Sequence, residues 1–251
     1  MTRPILLALY LAYVMVLSML LARRGHCSRV VNPTAVPHRR PTRILIIGAT
    51  GGTGRQLVTQ ALERGFAVTA LVRNPSTLPA KHAQLTVVRG DVLDYASVES
   101  AMRGQEAVVC ALGHSRYYTQ PRTLSDGTRN ILRAMEAHGL RRFVCETSLG
   151  IGDSAWRLGI YYTLFTIPVI LPLYFWDKAR QERIIARSDV DWVIVRPGAL
   201  TNGERRGRVR HGSSVGDLLW TVRVSRADVA DFMLNQLESD TYLRAAAGVA
   251  W

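Results

Sequence analysis

Short apolar runs alternate with amphipathic stretches along most of this 251-residue chain. Runs rich in β-branched and aliphatic residues, such as RILII from residue 43, predict buried strands. The stretches between them repeat apolar residues every three or four positions and predict helices. Strands are predicted at 43–47, 67–74, 85–91, 107–113, 141–148 and 191–198, and helices at 55–65, 95–102, 124–139, 178–188 and 225–239. This alternation is typical of an α/β fold with a doubly wound parallel sheet.

The N-terminal residues form an apolar stretch of a different kind. Ile5 to Ala22 contain no charged residue and are bracketed by Arg3 and by the pair Arg23 and Arg24. Such a stretch is just long enough to cross a bilayer as a helix. Residues 1–24 are therefore predicted to be a single transmembrane anchor that lies outside the α/β fold and contacts the membrane through residues 5–22. More arginines follow the stretch than precede it, so the positive-inside rule places the catalytic domain in the cytosol.

Two other interpretations of the N-terminal stretch stay open, a cleaved secretory signal peptide and an organellar targeting sequence. The apolar run is long for a signal peptide, and no A-x-A cleavage site ends it. Residues 25–42 contain three prolines and several arginines. We interpret them as a basic linker that can lie against anionic lipid, followed by one domain at 43–251.

The strand at 43–47 leads into three glycines and then a helix, in the sequence RILIIGATGGTG. In this context the first glycine permits a tight turn, the second lets the backbone approach a pyrophosphate, and the third lets the helix pack on its strand. The free N–H groups and the positive end of the helix dipole then face the phosphates. The loop predicts a dinucleotide site made by Gly48, Thr50, Gly51, Gly52, Thr53 and Gly54.

The end of the second strand favours NADP(H) over NAD(H). Nicotinamide-binding units that use NAD(H) carry an acid there to hold the adenosine ribose hydroxyls, whereas this chain has Arg73. A guanidinium can pair with a 2′-phosphate in bidentate fashion, and Arg55 at the start of the helix could contribute. The alternative is that Arg73 is only a solvated charge at the end of a strand.

A second uncharged stretch runs from Leu158 to Trp176. Pro168 and Pro172 oppose a membrane-spanning helix, and a second span would separate the fifth strand from the sixth. We interpret the stretch as an apolar lid over the nicotinamide end or as a segment at the membrane interface, with a dimer or core surface as the alternative. A lid or an interfacial segment points to an apolar or planar small-molecule substrate.

The net charge of +13 is concentrated near the N-terminus, since residues 1–43 hold seven arginines and no acid. The remaining positive charge suits a triply phosphorylated dinucleotide. No nucleic-acid recognition motif accompanies it, so no nucleic-acid partner is expected. Cys27, Cys110 and Cys145 lack metal-binding spacing, and no metal site is predicted. Cys110 and Cys145 fall in predicted strands and are expected to be small core residues.

From about residue 43 to 248 the chain resembles the atypical short-chain dehydrogenase/reductases. The resemblance is to the small NAD(P)H-binding group that includes biliverdin-IXβ/flavin reductase and the NmrA-like proteins. GATGGTG, LVRNP, GDVLD, SDGTRNILRAMEAHG, TS at 147–148, DWVIVRPG and SRADVADF occur in the family's order. The resemblance implies a Rossmann-like fold with the cofactor along the carboxyl edge of the strands. It also implies contacts from Asp91 and Val92 to the adenine, from Ala111, Leu112 and Gly113 of the loop after Cys110 to the ribose, and from Pro197 and Gly198 near the nicotinamide.

The larger short-chain family uses a serine, a tyrosine and a lysine four residues later, and the lysine lowers the pKa of the tyrosine. Here Ser148 ends the fifth strand, and Tyr174 and Lys178 have the Y-x-x-x-K spacing that places both on one helix face. The small group's helix often begins D-K-x-x-x-E, as Asp177 to Glu182 do here. Ser148, Lys178 and Tyr174 are therefore the catalytic candidates, with an aromatic wall as the alternative role of Tyr174.

Two classes of function stay open. The first is an NADPH-dependent reductase that transfers hydride to a flavin, quinone, tetrapyrrole or carbonyl compound. The second is a non-catalytic NAD(P)-binding sensor or membrane scaffold. The small group's flavin and biliverdin reductases carry a histidine at the end of the sixth strand where this chain has Gly198, which argues against that particular substrate.

Overall fold

A computed structural model of the chain describes residues 2–24, 40–78, 80–113 and 122–251. Most of the predicted linker, residues 25–39, lies outside the described residues, as does Cys27. The strands are β1 (Arg43–Ile47), β2 (Ala67–Val72), β3 (Leu85–Arg89), β4 (Ala107–Cys110), β5 (Arg142–Glu146), β6 (Asp191–Pro197), β7 (Ala199–Thr201), β8 (Arg210–Gly212), β9 (Arg223–Ser225) and β10 (Ala245–Ala250). The α-helices are α1 (Thr2–Arg24), α2 (Gly52–Glu63), α3 (Tyr95–Met102), α4 (Thr123–Ala137), α5 (Pro172–Ala186) and α6 (Arg226–Asn235).

Eight strands form one sheet in the order β3-β2-β1-β4-β5-β6-β10-β8. Every neighbouring pair is parallel except β10 with β8. The order 3-2-1-4-5-6 at its centre is that of a Rossmann-like fold, which confirms the predicted fold class. β7 and β9 form a separate parallel pair.

The core lies on both faces of this sheet because successive strand residues point to opposite sides. Ile44 and Ile46 of β1 pack in one buried cluster with α2 and α6. Leu45 and Ile47 pack in a second cluster with α3, α4 and α5. Strands covered on both faces read as continuous apolar runs, which is why the sequence located them well.

The predicted strands and helices are present, and β10 is the main element that the sequence pattern missed. Its sequence AAAGVA lacks the β-branched and aromatic residues that mark a strand. All six residues are buried, and β10 pairs with β6 on one side and β8 on the other. Cys110 and Cys145 are fully buried thiols, as predicted.

The stretch from Leu158 to Trp176 folds on one side of the sheet. It contains a π-helix at Tyr162–Ile170 and the first turn of α5, which starts at Pro172 and so six residues before the predicted helix start at Lys178. β5 and β6 are adjacent and parallel, so the stretch is the crossover between them and does not divide the sheet. Among the described residues, α1 is the helix that is long and apolar enough to cross a membrane, over Pro4–Arg23.

α1 packs against this crossover, contrary to the expectation that residues 1–24 lie outside the fold. Leu21 of α1 is 2% exposed and shares a buried cluster with Leu149, Ile151 and Phe175. The hydroxyl of Tyr10 donates to the main-chain carbonyl of Leu164. These contacts dock α1 against the domain from Tyr10 to Leu21.

A second tyrosine of α1 reinforces this contact, and both tyrosines reach carbonyls four residues before a proline of the crossover. The hydroxyl of Tyr13 donates to the carbonyl oxygen of Pro168 at 2.9 Å. Proline has no N–H, so Pro168 and Pro172 cannot supply the α-helical donors to the carbonyls four residues before them. Those two carbonyls belong to Leu164 and Pro168, the acceptors that α1 reaches.

Candidate functional site

A cavity of about 580 Å³ opens at the carboxyl edge of the parallel strands. It lies where the strand order reverses, with β2 on one side of β1 and β4 on the other, which is the position of ligand sites in open α/β sheets. The side chains and backbone around it come from Ile47, Gly48, Thr50, Gly51, Gly52, Thr53, Leu71, Val72, Arg73, Gly90, Asp91, Val92, Leu93, Ala111, Leu112, Gly113, Thr123, Glu146, Thr147, Tyr174, Lys178, Leu200 and Arg226.

The glycine loop is shaped by contacts that only glycine permits. Gly48 has a φ of +87°, and a Cβ there would lie 2.4 Å from the carbonyl oxygen of Ala111. A Cβ on Gly54 would lie 2.0 Å from the carbonyl oxygen of Gly48, so this glycine lets α2 start directly behind the turn. α2 begins at Gly52, and its first residues line the cavity. The helix N-terminus and the close backbone fit a pyrophosphate.

Arg73 lies at the rim of the same cavity, beyond the end of β2. Its side chain is exposed and makes no hydrogen bond or ion pair with the residues that the structure describes. Asp91 and Val92 line the cavity next to it, and Asp91 accepts a hydrogen bond from the backbone N–H of Leu93 at 3.0 Å. Arg55 does not line the cavity, because its guanidinium donates to the carbonyls of Thr50 and Thr77.

Lys178 is held at the opposite end of the cavity by two backbone carbonyls. Its Nζ donates to the carbonyl oxygens of Leu112 at 3.2 Å and Glu146 at 3.0 Å. The side chain is 2% exposed, so the ammonium is almost fully enclosed. Burial lowers the pKa of Lys178, but electrostatic attraction to Tyr174 and Glu146 outweighs it and the pKa is raised. The lysine is therefore a fixed positive charge at the cavity wall.

Tyr174 stands beside this lysine, as the Y-x-x-x-K spacing predicts. Lys178 Nζ lies 5.7 Å from the centroid of the Tyr174 ring. The Tyr174 hydroxyl is 3.5 Å from the position that a Cβ on Gly113 would occupy, which places the phenol against the loop after β4. The structure thus brings Tyr174, Lys178 and Gly113 together at one end of the cavity.

Ser148, Pro197 and Gly198 lie outside the cavity lining. The Ser148 hydroxyl donates to the carbonyl of Leu149 at 2.9 Å, and the residues of its loop that reach the cavity are Glu146 and Thr147. The backbone N–H of Gly198 donates to the carbonyl of Val249 at 2.9 Å. The roles assigned to these three residues stay predictions.

Glu146 is a buried carboxylate that the sequence pattern did not single out. Its Oε1 accepts from the hydroxyl of Thr53 at 3.1 Å and so connects the end of β5 to the start of α2. Burial raises the pKa of Glu146, and attraction to Lys178 opposes this only in part. An acid at the end of an otherwise apolar strand is the signal that could have identified it.

Arg226, at the start of α6, is the other cavity residue of note that the sequence left unmarked. Its side chain covers Gly52, where a Cβ would lie 2.4 Å from the arginine Cδ. Its guanidinium donates to the side-chain oxygen of Asn202 at 2.6 Å. Arg226 therefore adds positive charge next to the glycine loop, where phosphate groups are expected.

A buried ion pair supports the cavity from behind. Arg196 on β6 contacts Glu182 on α5 in bidentate fashion, with Nε at 2.9 Å and Nη2 at 2.7 Å. Glu182 also accepts from the hydroxyl of Thr147 at 2.7 Å, and Arg196 contacts Asp153 as well. Although burial opposes the charged form, the two carboxylates raise the pKa of Arg196.

The three residues that define the D-K-x-x-x-E pattern of α5, Asp177, Lys178 and Glu182, contact three different parts of the structure. Asp177 accepts from the backbone N–H groups of Leu124 and Ser125 at the start of α4, with 2.8 Å to Leu124. Lys178 faces the cavity, and Glu182 forms the buried ion pair. α5 thereby fixes α4, the cavity wall and β6 relative to one another.

The strand order, the glycine loop and the cavity at the switch point define a dinucleotide-binding domain of the Rossmann-like class. The chain belongs to the NAD(P)H-binding family, whose model matches residues 48–240. This confirms that the cofactor is a nicotinamide dinucleotide and confirms the resemblance to the small NAD(P)H-binding reductases.

Relatives of known sequence or structure share most of this domain. The chain is 30% identical over 210 residues to an uncharacterized chloroplastic protein of Arabidopsis thaliana, covering 78% of this chain and 71% of that one. It is 32% identical over 180 residues to a 3 beta-hydroxysteroid dehydrogenase/Delta 5-->4-isomerase of Mycobacterium tuberculosis, covering 65% of this chain but 48% of that enzyme. The structure of ChuY, an anaerobillin reductase from Escherichia coli O157:H7, superposes with a TM-score of 0.66 at 24% identity, covering 83% of this chain and 97% of that one.

Proposed function

We propose that the protein is an NADPH-dependent oxidoreductase that reduces a planar or lipophilic acceptor such as a flavin, quinone, tetrapyrrole or carbonyl compound. The observation that carries this proposal is the pair Tyr174 and Lys178 at one end of the cavity, opposite the exposed Arg73. Arg73 would hold the adenosine 2′-phosphate of a bound dinucleotide, and Lys178 would lie at the end that holds its reactive ring.

The chain's own residues fit this cofactor. The backbone around Gly48 and Gly54 leaves no room for a Cβ, which is the close approach that a pyrophosphate requires. Arg73 and Arg226 are placed to pair with phosphate groups. The absence of an acid at position 73 favours NADPH over NADH because a carboxylate there would repel the 2′-phosphate.

NADPH, when bound, supplies a hydride, and the protein must supply a proton to the reduced acceptor. The Tyr174 hydroxyl is the group that can hold and deliver this proton, because the Lys178 ammonium beside it stabilises a phenolate. The two carbonyls that bind Nζ keep the ammonium in place. The proton then passes from the phenol oxygen to the acceptor and is replaced from solvent.

An apolar acceptor suits the crossover that forms the wall of this end of the cavity. The proposal gains support from the relatives, since one is named for a hydroxysteroid and the other for an anaerobillin.

The second candidate, a non-catalytic NAD(P)-binding sensor or scaffold, has one observation in its favour. The Ser148 hydroxyl bonds to its own loop and does not line the cavity.

The deciding experiment is NADPH oxidation by the full-length protein in detergent against a panel of flavins, quinones, tetrapyrroles and carbonyl compounds. We expect turnover with at least one acceptor and its loss in Tyr174→Phe, while NADPH binding is retained. Tyr161→Phe is the matched control, since that tyrosine is exposed on the crossover and does not line the cavity. NADPH binding without turnover for any acceptor would favour the sensor.

We further propose that α1 anchors the protein to a membrane with the domain in the cytosol, in accord with its length, its composition and the arginines that follow it. A cleaved signal or a transit sequence is the alternative, and the chloroplastic Arabidopsis relative favours a transit sequence. A reporter fused after Trp251 should remain cytosolic, and the full chain should fractionate with membranes at its full mass. A shortened mature protein would favour cleavage.

A further inference from the structure

Exposed apolar side chains form a continuous surface on the crossover and the neighbouring loop. We call this surface the apolar face. The backbone N–H groups of Gly159 and Ile160 donate to the carbonyls of Asp217 and Leu219, so the two segments are adjacent. Its members are between 39% and 76% exposed: Ile160, Tyr161, Phe165, Val169, Ile170, Leu173, Leu218, Leu219 and Trp220.

α1 extends the apolar face. Its contacts with the domain run from Tyr10 to Leu21, while the opposite side of the helix stays exposed, as at Leu9 (62%) and Val16 (53%). The lengths match a bilayer. At about 1.5 Å per residue, residues 2–9 extend about 12 Å and residues 10–21 about 18 Å. One leaflet of hydrocarbon is about 15 Å thick, so a spanning α1 has its docked half in the leaflet nearest the domain.

α5 shows where this leaflet ends. Leu173, Trp176, Arg180, Arg183 and Arg187 follow one another at spacings of three or four residues and so share one face of the helix. The series changes from aliphatic to aromatic to basic along the helix. Tryptophan is typical of the membrane interface, and arginines beyond it can contact anionic headgroups. Trp176, Arg180, Arg183 and Arg187 also line a shared groove of about 280 Å³ with Arg129 and Ile184.

We propose that the apolar face lies within the near leaflet beside α1, and that the acceptor enters the cavity from the lipid rather than from water. The occupant of the face is thus the acyl region of a bilayer with anionic headgroups. The charge series on α5 argues for lipid, because anionic headgroups complement the arginines, whereas a symmetric pairing of this face with itself would bring like charges together.

The route from the apolar face to the cavity is short, because residues adjacent in the chain lie on these two surfaces. Leu173 is 39% exposed on the apolar face, whereas Tyr174 lines the cavity. The crossover therefore forms a thin wall between lipid and the proposed proton donor. This second half of the inference rests on the proposed function and names the substrate class more narrowly, as a lipid-soluble acceptor.

Depth-dependent fluorescence tests the first half directly in the full-length chain reconstituted into vesicles that contain anionic lipid. An environment-sensitive label is attached at Phe165→Cys or Trp220→Cys in a Cys27→Ser background, because the other cysteines are buried. We expect blue-shifted emission that lipids carrying nitroxide on their acyl chains quench. Arg103→Cys is the control, since Arg103 follows α3 at the opposite edge of the sheet and is exposed. Emission at Phe165 and Trp220 equal to the control overturns the proposal, and a blue shift without lipid quenching overturns it in favour of a second copy of the chain.

Kinetics test the second half. Phe165→Ser with Val169→Ser should lower turnover with a membrane-partitioned acceptor at least tenfold and leave turnover with a water-soluble analogue unchanged. Equal rates with both acceptors would overturn entry from lipid. An inactive wild type would instead refute the proposed function, while the fluorescence result would still decide the location of the apolar face.

Discussion

The ammonium of Lys178 donates to the main-chain carbonyl of Glu146, 3.0 Å away, while the side chain of that same glutamate accepts from Thr53. One residue at the end of β5 thus joins the proposed catalytic lysine to the first turn of α2, where phosphate is expected. The two ends of the cofactor site are mechanically connected through a buried acid.

Replacing Lys178 should lower both the free energy of unfolding and the rate of turnover. Lys178→Met leaves two carbonyls without their donor, and we expect a loss of about 1–3 kcal/mol in the free energy of unfolding. Turnover should fall by about 10²–10⁴, the range typical of a positioned acid–base group. Lys178→Arg should also impair turnover, because a planar guanidinium cannot occupy an enclosed site built for one ammonium. Steady-state kinetics and denaturant unfolding measure both effects, and an unchanged rate in Lys178→Met would remove Lys178 from the mechanism.

Cofactor preference should depend on Arg73. Arg73→Asp exchanges a partner of the 2′-phosphate for a partner of the ribose hydroxyls. The loss of a charge-assisted contact costs about 1.5–3 kcal/mol, so NADPH should bind roughly tenfold to hundredfold more weakly while NADH is spared. Titration calorimetry with both cofactors checks this. Arg89→Asp, an exposed arginine at the end of β3 that does not line the cavity, is the matched control. Equal weakening of both cofactors would contradict the assignment.

Glu146 should give the apoprotein an unusual pH dependence. Burial raises its pKa above the ordinary 4.5, so the folded state binds the proton more tightly than the unfolded state. This stabilising contribution is present below pH 4.5 and is lost as the pH rises through the raised value. Relative to wild type, Glu146→Gln should therefore gain in Tm as the pH increases from 4.5 toward neutrality.

Glu106 provides a control of opposite sign for that measurement. Hydrogen bonds from the backbone and side chain of Thr42 hold the pKa of Glu106 below its ordinary 4.5. Its contribution is present above pH 4.5 and is lost as the pH falls through the lowered value. Glu106→Gln should lose Tm relative to wild type as the pH rises from below the lowered value to 4.5, and the difference should then stay constant toward neutrality. Slopes of the same sign for both variants would contradict the assigned environments.

The pair Arg196 and Glu182 should behave as one unit. Arg196→Met alone leaves a buried carboxylate without its partner and should cost about 3–5 kcal/mol of the free energy of unfolding. Glu182→Leu alone should cost a similar amount. The double variant should recover most of the loss because both charges leave the interior together. Chemical unfolding of the four proteins measures the coupling, and additive losses would show that the two side chains are independent.

The two tyrosines of α1 should control its docking. Tyr10→Phe with Tyr13→Phe removes two hydrogen bonds that contribute about 0.5–1.5 kcal/mol each. Trypsin should then cleave more rapidly after Arg23, at the end of α1, because the helix undocks more often. Tyr161→Phe should leave the rate unchanged, because Tyr161 is exposed on the crossover and forms no hydrogen bond with the part of α1 that the structure describes. Identical cleavage rates for all variants in detergent would show that the docking of α1 does not depend on these hydrogen bonds.

The sequence predicted the sheet and the glycine loop because both depend on local patterns. The runs that became β1 to β6 are mostly apolar, and the loop needs glycine at Gly48 and Gly54 for backbone reasons. β10 escaped prediction because its strand character comes from burial between β6 and β8 and not from its alanines.

The polar part of the site was predictable only where a spacing marks it. Tyr174 and Lys178 are four residues apart on one helix, and their proximity follows from helix geometry. Glu146 and Arg226 carry no such spacing, since they are far apart in sequence and come together at the cavity only when the sheet is assembled. The docking of α1 could not be predicted either, because a run of apolar residues does not indicate which carbonyls its tyrosines contact.

The contact between Tyr13 and Pro168 joins positions 155 residues apart, and this sets an order of events during synthesis. At about 5–20 residues per second, α1 leaves the ribosome roughly 8–30 s before the crossover to which it binds. An apolar helix without a partner is poorly soluble in water, so α1 must bind a lipid or chaperone surface before the crossover has been synthesised. The α/β domain then completes its folding around a helix whose location has already been decided.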